Sequence, residues 1–171
     1  MKSPDFEIIP VENYQKYIDK CIRLALQSKC SRRRCGSVVV NVDFKPAQVI
    51  GEGWNSMPCN VDGVCFKDSL PVNFKSDKTC CIHAEQRAIM QALRYPVMII
   101  NSLLFFVSID ENGKPVNSGE PYCTICSKMA LDAGVGRFIL YHEDGLRSYD
   151  TRYYNELSFK HQYQHQHTPH G

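Results

Sequence analysis

Net charge is nearly absent from this sequence: 20 Lys and Arg against 18 Asp and Glu leave a formal +2 over 171 residues. So weak an overall field gives no reason to expect nucleic acid or an anionic membrane as a partner, and only the run Arg32-Arg33-Arg34 is locally basic. The opening Met-Lys-Ser-Pro-Asp-Phe-Glu-Ile-Ile-Pro lacks the apolar core of a secretion signal, and no run approaches the roughly 20 apolar residues that cross a bilayer. A cytoplasmic protein making no membrane contact is the expectation. A disulfide framework is disfavoured as well. The nine cysteines are odd in number and come without an export signal, which turns attention to metal binding or buried thiols.

What is present is ordinary globular material, 43% apolar and 22% charged. The length suits one domain with a real core, placed at 1–160, followed by a histidine- and glutamine-rich stretch at 161–171 that reads as a flexible, frayed tail. Val11, Tyr14, Ile18, Cys21, Ile22 and Ala25 recur at three- and four-residue intervals and predict a first helix with one buried face, ending near residue 28. β-Branched residues over 37–42 and 47–50, around Asp43-Phe44-Lys45-Pro46, predict a hairpin, after which Gly51 and Gly53 are read as loosening the chain into a loop. The stretch 55–78 is broken by Pro58, Gly63 and Pro71, and so long a loop points to a function or a metal pin. Ala84, Ala88, Ile89, Ala92 and Leu93 predict a second helix stopped before Pro96, and 103–109 a buried strand. A third helix over 123–133 capped by Gly134, a strand at 137–142 and a last helix over 151–159 complete the pattern. Strands alternating with helices make this an α/β protein: a three-layer α/β/α sandwich in which helices flank a mixed sheet of about five strands.

The chemistry gathers at two helix starts. Cys123 and Cys126 stand three apart at the start of the third helix, where first-turn amides favour the thiolate that binds metal. Taken alone, C-x-x-C fits a redox pair, half a zinc ribbon or coincidence. The stretch Cys-Ile-His-Ala-Glu at 81–85 opens the second helix. His83 with the two cysteines makes three zinc ligands and leaves one tetrahedral position for water, which separates a catalytic site from a closed structural one. Glu85, two residues on, supplies a carboxylate able to move a proton without ligating the metal, provided His83 sits in the first turn. A closed structural zinc site with a further ligand is the competing reading; it leaves Glu85 and Asn55 without a role.

These motifs resemble the cytidine and deoxycytidylate deaminase superfamily, whose signature is H-x-E followed by P-C-x-x-C. Residues 28–40, S-K-C-S-R-R-R-C-G-S-V-V-V, look like the first helix end and first strand of bacterial deoxycytidylate deaminases, and G-W-N-S-M-P at 53–58 is similar to their G-Y-N-G-x-P. The resemblance implies a cytidine deaminase-like fold, a catalytic Zn2+ on His83, Cys123 and Cys126, and Glu85 as proton carrier. It also implies substrate contacts from Asn55 to the sugar, from the backbone amide of Ala84 to the ring carbonyl, and from Arg32 to a phosphate. The implied reaction is hydrolytic deamination of the cytosine of a small nucleotide, deoxycytidine monophosphate first, to uracil and ammonia. A homo-oligomer is the expected assembly. V-I-G-E-G-W-N at 49–55 also looks like bacterial tRNA adenosine deaminases, but those pass to H-A-E through a short loop, whereas this chain carries a long one with extra cysteines. A purine base or an RNA-borne adenosine is therefore the alternative substrate. Within the loop, Cys59, Cys65, Cys80 and Cys81 resemble the further structural zinc site of several deoxycytidylate deaminases; buried thiols are the alternative.

Two places depart from the family pattern. Tyr122 separates Pro121 from Cys123, where the family joins them, and Gln86-Arg87 follow H-A-E where nucleotide deaminases carry a residue and then asparagine. Plainer roles also exist: a turn residue after glycine for Asn55, an acidic first-turn residue for Glu85, and a solvated connector for the three arginines.

Overall fold

The computed structural model describes residues 6–58, 69–71 and 81–166. Among them, seven strands form one sheet: β1 (Phe6–Ile9), β2 (Arg34–Asn41), β3 (Gln48–Trp54), β4 (Leu103–Ile109), β5 (Pro115–Val116), β6 (Arg137–His142) and β7 (Gly145–Asp150). The order is β1-β7-β6-β4-β2-β3 with β5 on β4; the β4–β6 pair is parallel and the others antiparallel. Four helices flank it: α1 (Gln15–Ala25), entered through a 3-10 turn at Val11–Tyr14, α2 (Ala84–Ala92), α3 (Thr124–Ala133) and α4 (Thr151–Gln166).

The layering follows from strands buried on both faces. Along β4, Leu104 and Phe106 pack into one cluster with Ala84, Ala88 and Ile89 of α2. Leu103, Phe105 and Val107 enter a second cluster on the other face, with Tyr17, Ile18 and Cys21 of α1. Ala130 of α3 and Tyr154 of α4 join the first cluster, where Tyr154 stacks on Phe138 at 3.9 Å between ring centroids. Three layers result, as the alternation of strands and helices predicts.

The sheet is larger than the expected five strands. β1 is four residues at an edge, and β5 is two. In β7 the alternation sends Leu146 into the α1-side cluster and Tyr149 into the α2-side cluster, so no single apolar face is written in Gly-Leu-Arg-Ser-Tyr-Asp. Gly51 and Gly53 do not open a loop. They lie inside β3, where a Cβ would meet the backbone carbonyl of Ala88 or Ala84, so glycine is what lets α2 lie directly on the strand. The last helix does not stop at 159: α4 continues through the first residues of the expected tail to Gln166. Among the described residues, no helix is long and apolar enough to cross a membrane.

Candidate active site

Two helix starts on the same face of the sheet converge. His83 is the N-cap of α2, with extended backbone angles (φ −70°, ψ 155°), so its ring leaves the helix instead of following the helical spiral. This resolves the geometry of H-A-E, because a residue outside the helix can face the same point as Glu85 in the first turn. Gln86 and Arg87, one of the two places where the sequence departs from the family pattern, hold this start in place. Gln86 Oε1 accepts the His83 N–H at 3.0 Å, one half of a capping box. Arg87 Nη2 donates to Ser56 Oγ and the Met57 carbonyl at 2.9 and 3.0 Å, and its guanidinium lies over the Trp54 ring. Ser56 in turn pairs backbone to backbone with Ile82, so the approach to His83 is fixed from both sides.

Cys123 is the N-cap of α3, and its Sγ accepts the Cys126 N–H at 3.5 Å. His83 Nδ1 lies 3.3 Å from the Sγ of each cysteine, and the three ligand atoms fall within 4.8 Å of one another. Tetrahedral zinc with bonds of about 2.0 Å to nitrogen and 2.3 Å to sulfur sets N-to-S edges of about 3.6 Å, so the donor set and its spacing fit that ion. Both cysteines are buried, Cys126 completely. The hydrogen bond from Cys126, with His83 adding to the effect, draws the Cys123 thiol down, while burial pushes the Cys126 thiol up. Metal binds the thiolate form of both cysteines, so binding is coupled to proton release.

Glu85 is 7% exposed. Burial pushes its carboxyl up to about 7, against the pull of His83 and Arg33 toward the charged form. It faces a cavity of about 50 Å³ whose walls include Arg33, Asn55, His83, Phe106 and Tyr122. Ala84 lines the same cavity; as the first residue of α2 its N–H has no intrahelical acceptor.

The sequence pattern of the cytidine and deoxycytidylate deaminase zinc-binding region matches residues 11–142. The chain belongs to the cytidine and deoxycytidylate deaminase family. It is accordingly a hydrolytic deaminase acting on a C–N bond, with His83, Cys123 and Cys126 as the site that could hold zinc. Among solved structures, the deaminase is similar to dCMP deaminase from the cyanophage S-TIM5 in its apo form, at 24% identity and TM-score 0.52 over 76% of this chain and 82% of that one. The same enzyme in complex with dCMP and dUMP matches at 23% identity and TM-score 0.53, over 76% and 81%. Cytidine deaminase from Burkholderia pseudomallei matches at 14% identity and TM-score 0.53, over 82% and 94%. These likenesses show the fold. No curated protein matches the sequence significantly.

The three arginines of the deaminase diverge. Arg32 Nη2 donates to the Leu70 carbonyl at 2.6 Å and lines a neighbouring cavity of about 530 Å³, not the one at Glu85. Arg34 is bound by the Asp110 and Glu111 carbonyls. Arg33, not singled out within the basic run, lines both cavities; its Nη2 is held by Ser108 Oγ at 3.0 Å and the Ser118 carbonyl at 3.1 Å. A run of three identical residues at a strand start carries no signal for which side chain turns inward. Asn55 is brought to the cavity, but its amide also ties β3 to β2: Oδ1 accepts the Cys35 N–H and Nδ2 donates to the Arg33 carbonyl, both at 2.8 Å. One acceptor lone pair and one N–H remain for a ligand. Of the second cysteine cluster, Cys59, Cys65 and Cys80 lie outside the described residues, and Cys81 is half-buried beside the site.

Proposed function

We propose that this deaminase removes the amino group of a small cytosine nucleotide, with deoxycytidine monophosphate as the first substrate to try. The observation that carries the reading is one small cavity lined by Glu85, Ala84, Arg33 and His83, the last of which joins Cys123 and Cys126 in the metal-ligating triad. When bound, zinc supplies a Lewis acid that activates a water molecule for attack at C4 of the ring. Glu85 takes one proton from the attacking water and delivers it to N3. It then takes the second from the hydroxyl formed at C4 and passes it to the amino group, which leaves as ammonia, so that cytosine and water become uracil and ammonia. Its burial suits this work, because burial raises the carboxyl's affinity for the proton it must accept and return. The Ala84 N–H donates to the ring carbonyl, and the remaining capacity of the Asn55 amide goes to the sugar.

Arg33 is the guanidinium best set to meet a phosphate, because it lies where the base cavity adjoins the larger one that Arg32 also lines. The test is kcat/KM for deoxycytidine monophosphate against deoxycytidine and against an adenosine-bearing tRNA stem-loop. The nucleotide is expected to be preferred, and Arg33→Gln to remove that preference while leaving deoxycytidine turnover in place. Turnover of the RNA alone would overturn the small-nucleotide reading.

A further inference from the structure

Of the walls of the base cavity, most are fixed by regular structure. Asn55 is tied at both ends of its amide, Arg33 is held by Ser108 and Ser118, His83 and Glu85 open α2, and Phe106 belongs to the central strand β4. Tyr122 is different. It sits on the irregular segment between β5 and α3, immediately before Cys123, in the place where the family pattern has proline. A full aromatic side chain thereby stands where the pattern has a proline ring.

Tyr122 is restrained where it stands. The Tyr122 carbonyl accepts a hydrogen bond from Gln162 Nε2 at 3.0 Å, and its ring contacts the His161 ring at 6.1 Å between centroids. Both partners lie on the part of α4 that runs beyond residue 159. On the other side Tyr122 is bonded to a residue of the metal-ligating triad. The cavity it lines measures about 50 Å³. A purine, with its second fused ring, demands more of this space than a pyrimidine, against a wall anchored to α4.

We propose that Tyr122 is the specificity-determining residue that restricts this site to single-ring bases. The proposal rests on the cytosine reading above and adds to it the device that excludes adenine and guanine. The phenol ring acts by size. Its hydroxyl has no hydrogen-bond partner among the described residues, so phenylalanine should serve as well.

The test measures binding, without turnover, on the zinc-loaded full chain. Two probes are used that carry hydrogen where the substrate carries its amino group: pyrimidin-2-one and purine, each as the ribonucleoside and its 5′-monophosphate, titrated by calorimetry. Wild type and Tyr122→Phe are expected to prefer the pyrimidinone, and Tyr122→Ala to lose about tenfold or more of that preference, the scale on which pocket size discriminates. Retained zinc and a cooperative melt certify the variant; if Tyr122→Ala fails to fold, Tyr122→Leu takes its place. An unchanged preference in the shortened variant, its loss in Tyr122→Phe, or a wild type with no preference overturns the proposal. The cytosine reading fails separately, if wild type releases no ammonia from any cytosine compound while the binding preference stands.

Discussion

Glu85 combines two features that a surface carboxylate in a first helical turn does not show: it is nearly sealed from solvent, and it faces the cavity beside the metal-ligating triad. Replacing it with glutamine keeps the shape and removes the proton carrier. Glu85→Gln should therefore retain fold and zinc and lose about 10² to 10⁴ in turnover, the usual contribution of a general acid–base group. Ammonia release and metal content on the same preparation check this; near-normal turnover would assign proton transfer to another group. At this scale the zinc triad and Glu85 are legible in the sequence because their spacing relative to two helix starts dictates the geometry. Gln86 and Arg87 are legible only as departures. Their work is backbone-directed, holding His83 and the Ser56 turn, and a side chain that serves a backbone group leaves no periodic trace. Arg33 and Arg32 differ by one position, and only the strand start at Arg34 decides which of them reaches Glu85's cavity.

At the scale of elements, the site depends on how closely α2 lies on β3. Gly53 faces the backbone of Ala84 and Ala88, so a methyl group there has rigid main chain as its neighbour instead of a side chain that can rotate away. Gly53→Ala should lift the start of α2, and with it His83, from the sheet. Overpacking of this kind costs about 1–3 kcal/mol, which for a chain of this size lowers the melting temperature by about 2–4 °C per kcal/mol. Zinc affinity should fall in parallel because one ligand is displaced from the other two. A melting temperature and zinc affinity equal to wild type would show that the helix–strand contact does not position the site. The sequence hides this contact, since glycine in a strand and glycine in a loop are written the same way. Long apolar runs such as β4 and β6 declare themselves by burial on both faces, whereas β1 and β5 are too short for a pattern and β7 divides its apolar residues between two faces. The extension of α4 is equally hidden: Gln162 and His161 are polar, and their role is to meet Tyr122.

For the whole molecule, the metal site is also a cross-link. His83 comes from α2 and the two cysteines from α3, forty residues apart along the chain at the nearest pair, and both helices cover the same face of the sheet. A ligand that binds the folded chain and not the unfolded one stabilises it by RT ln(1 + [L]/Kd), or about 4 kcal/mol when free zinc is 1,000 times its dissociation constant. With about 2–4 °C per kcal/mol for a domain of 150–250 residues, stripping the metal with a chelator should lower the melting temperature by about 8–16 °C. The loss should be reversed by adding zinc back. Cys126→Ser removes a fully buried ligand at the centre of the triad, so its melting temperature should be the same with and without chelator. Coincident melts for wild type, with zinc shown by metal analysis to have left, would mean that the triad contributes nothing to the joining of α2 and α3. A chelator-sensitive melt that survives in Cys126→Ser would instead require a second metal, for which Cys59, Cys65, Cys80 and Cys81 supply the donors, and a stoichiometry near two per wild-type chain would accompany it.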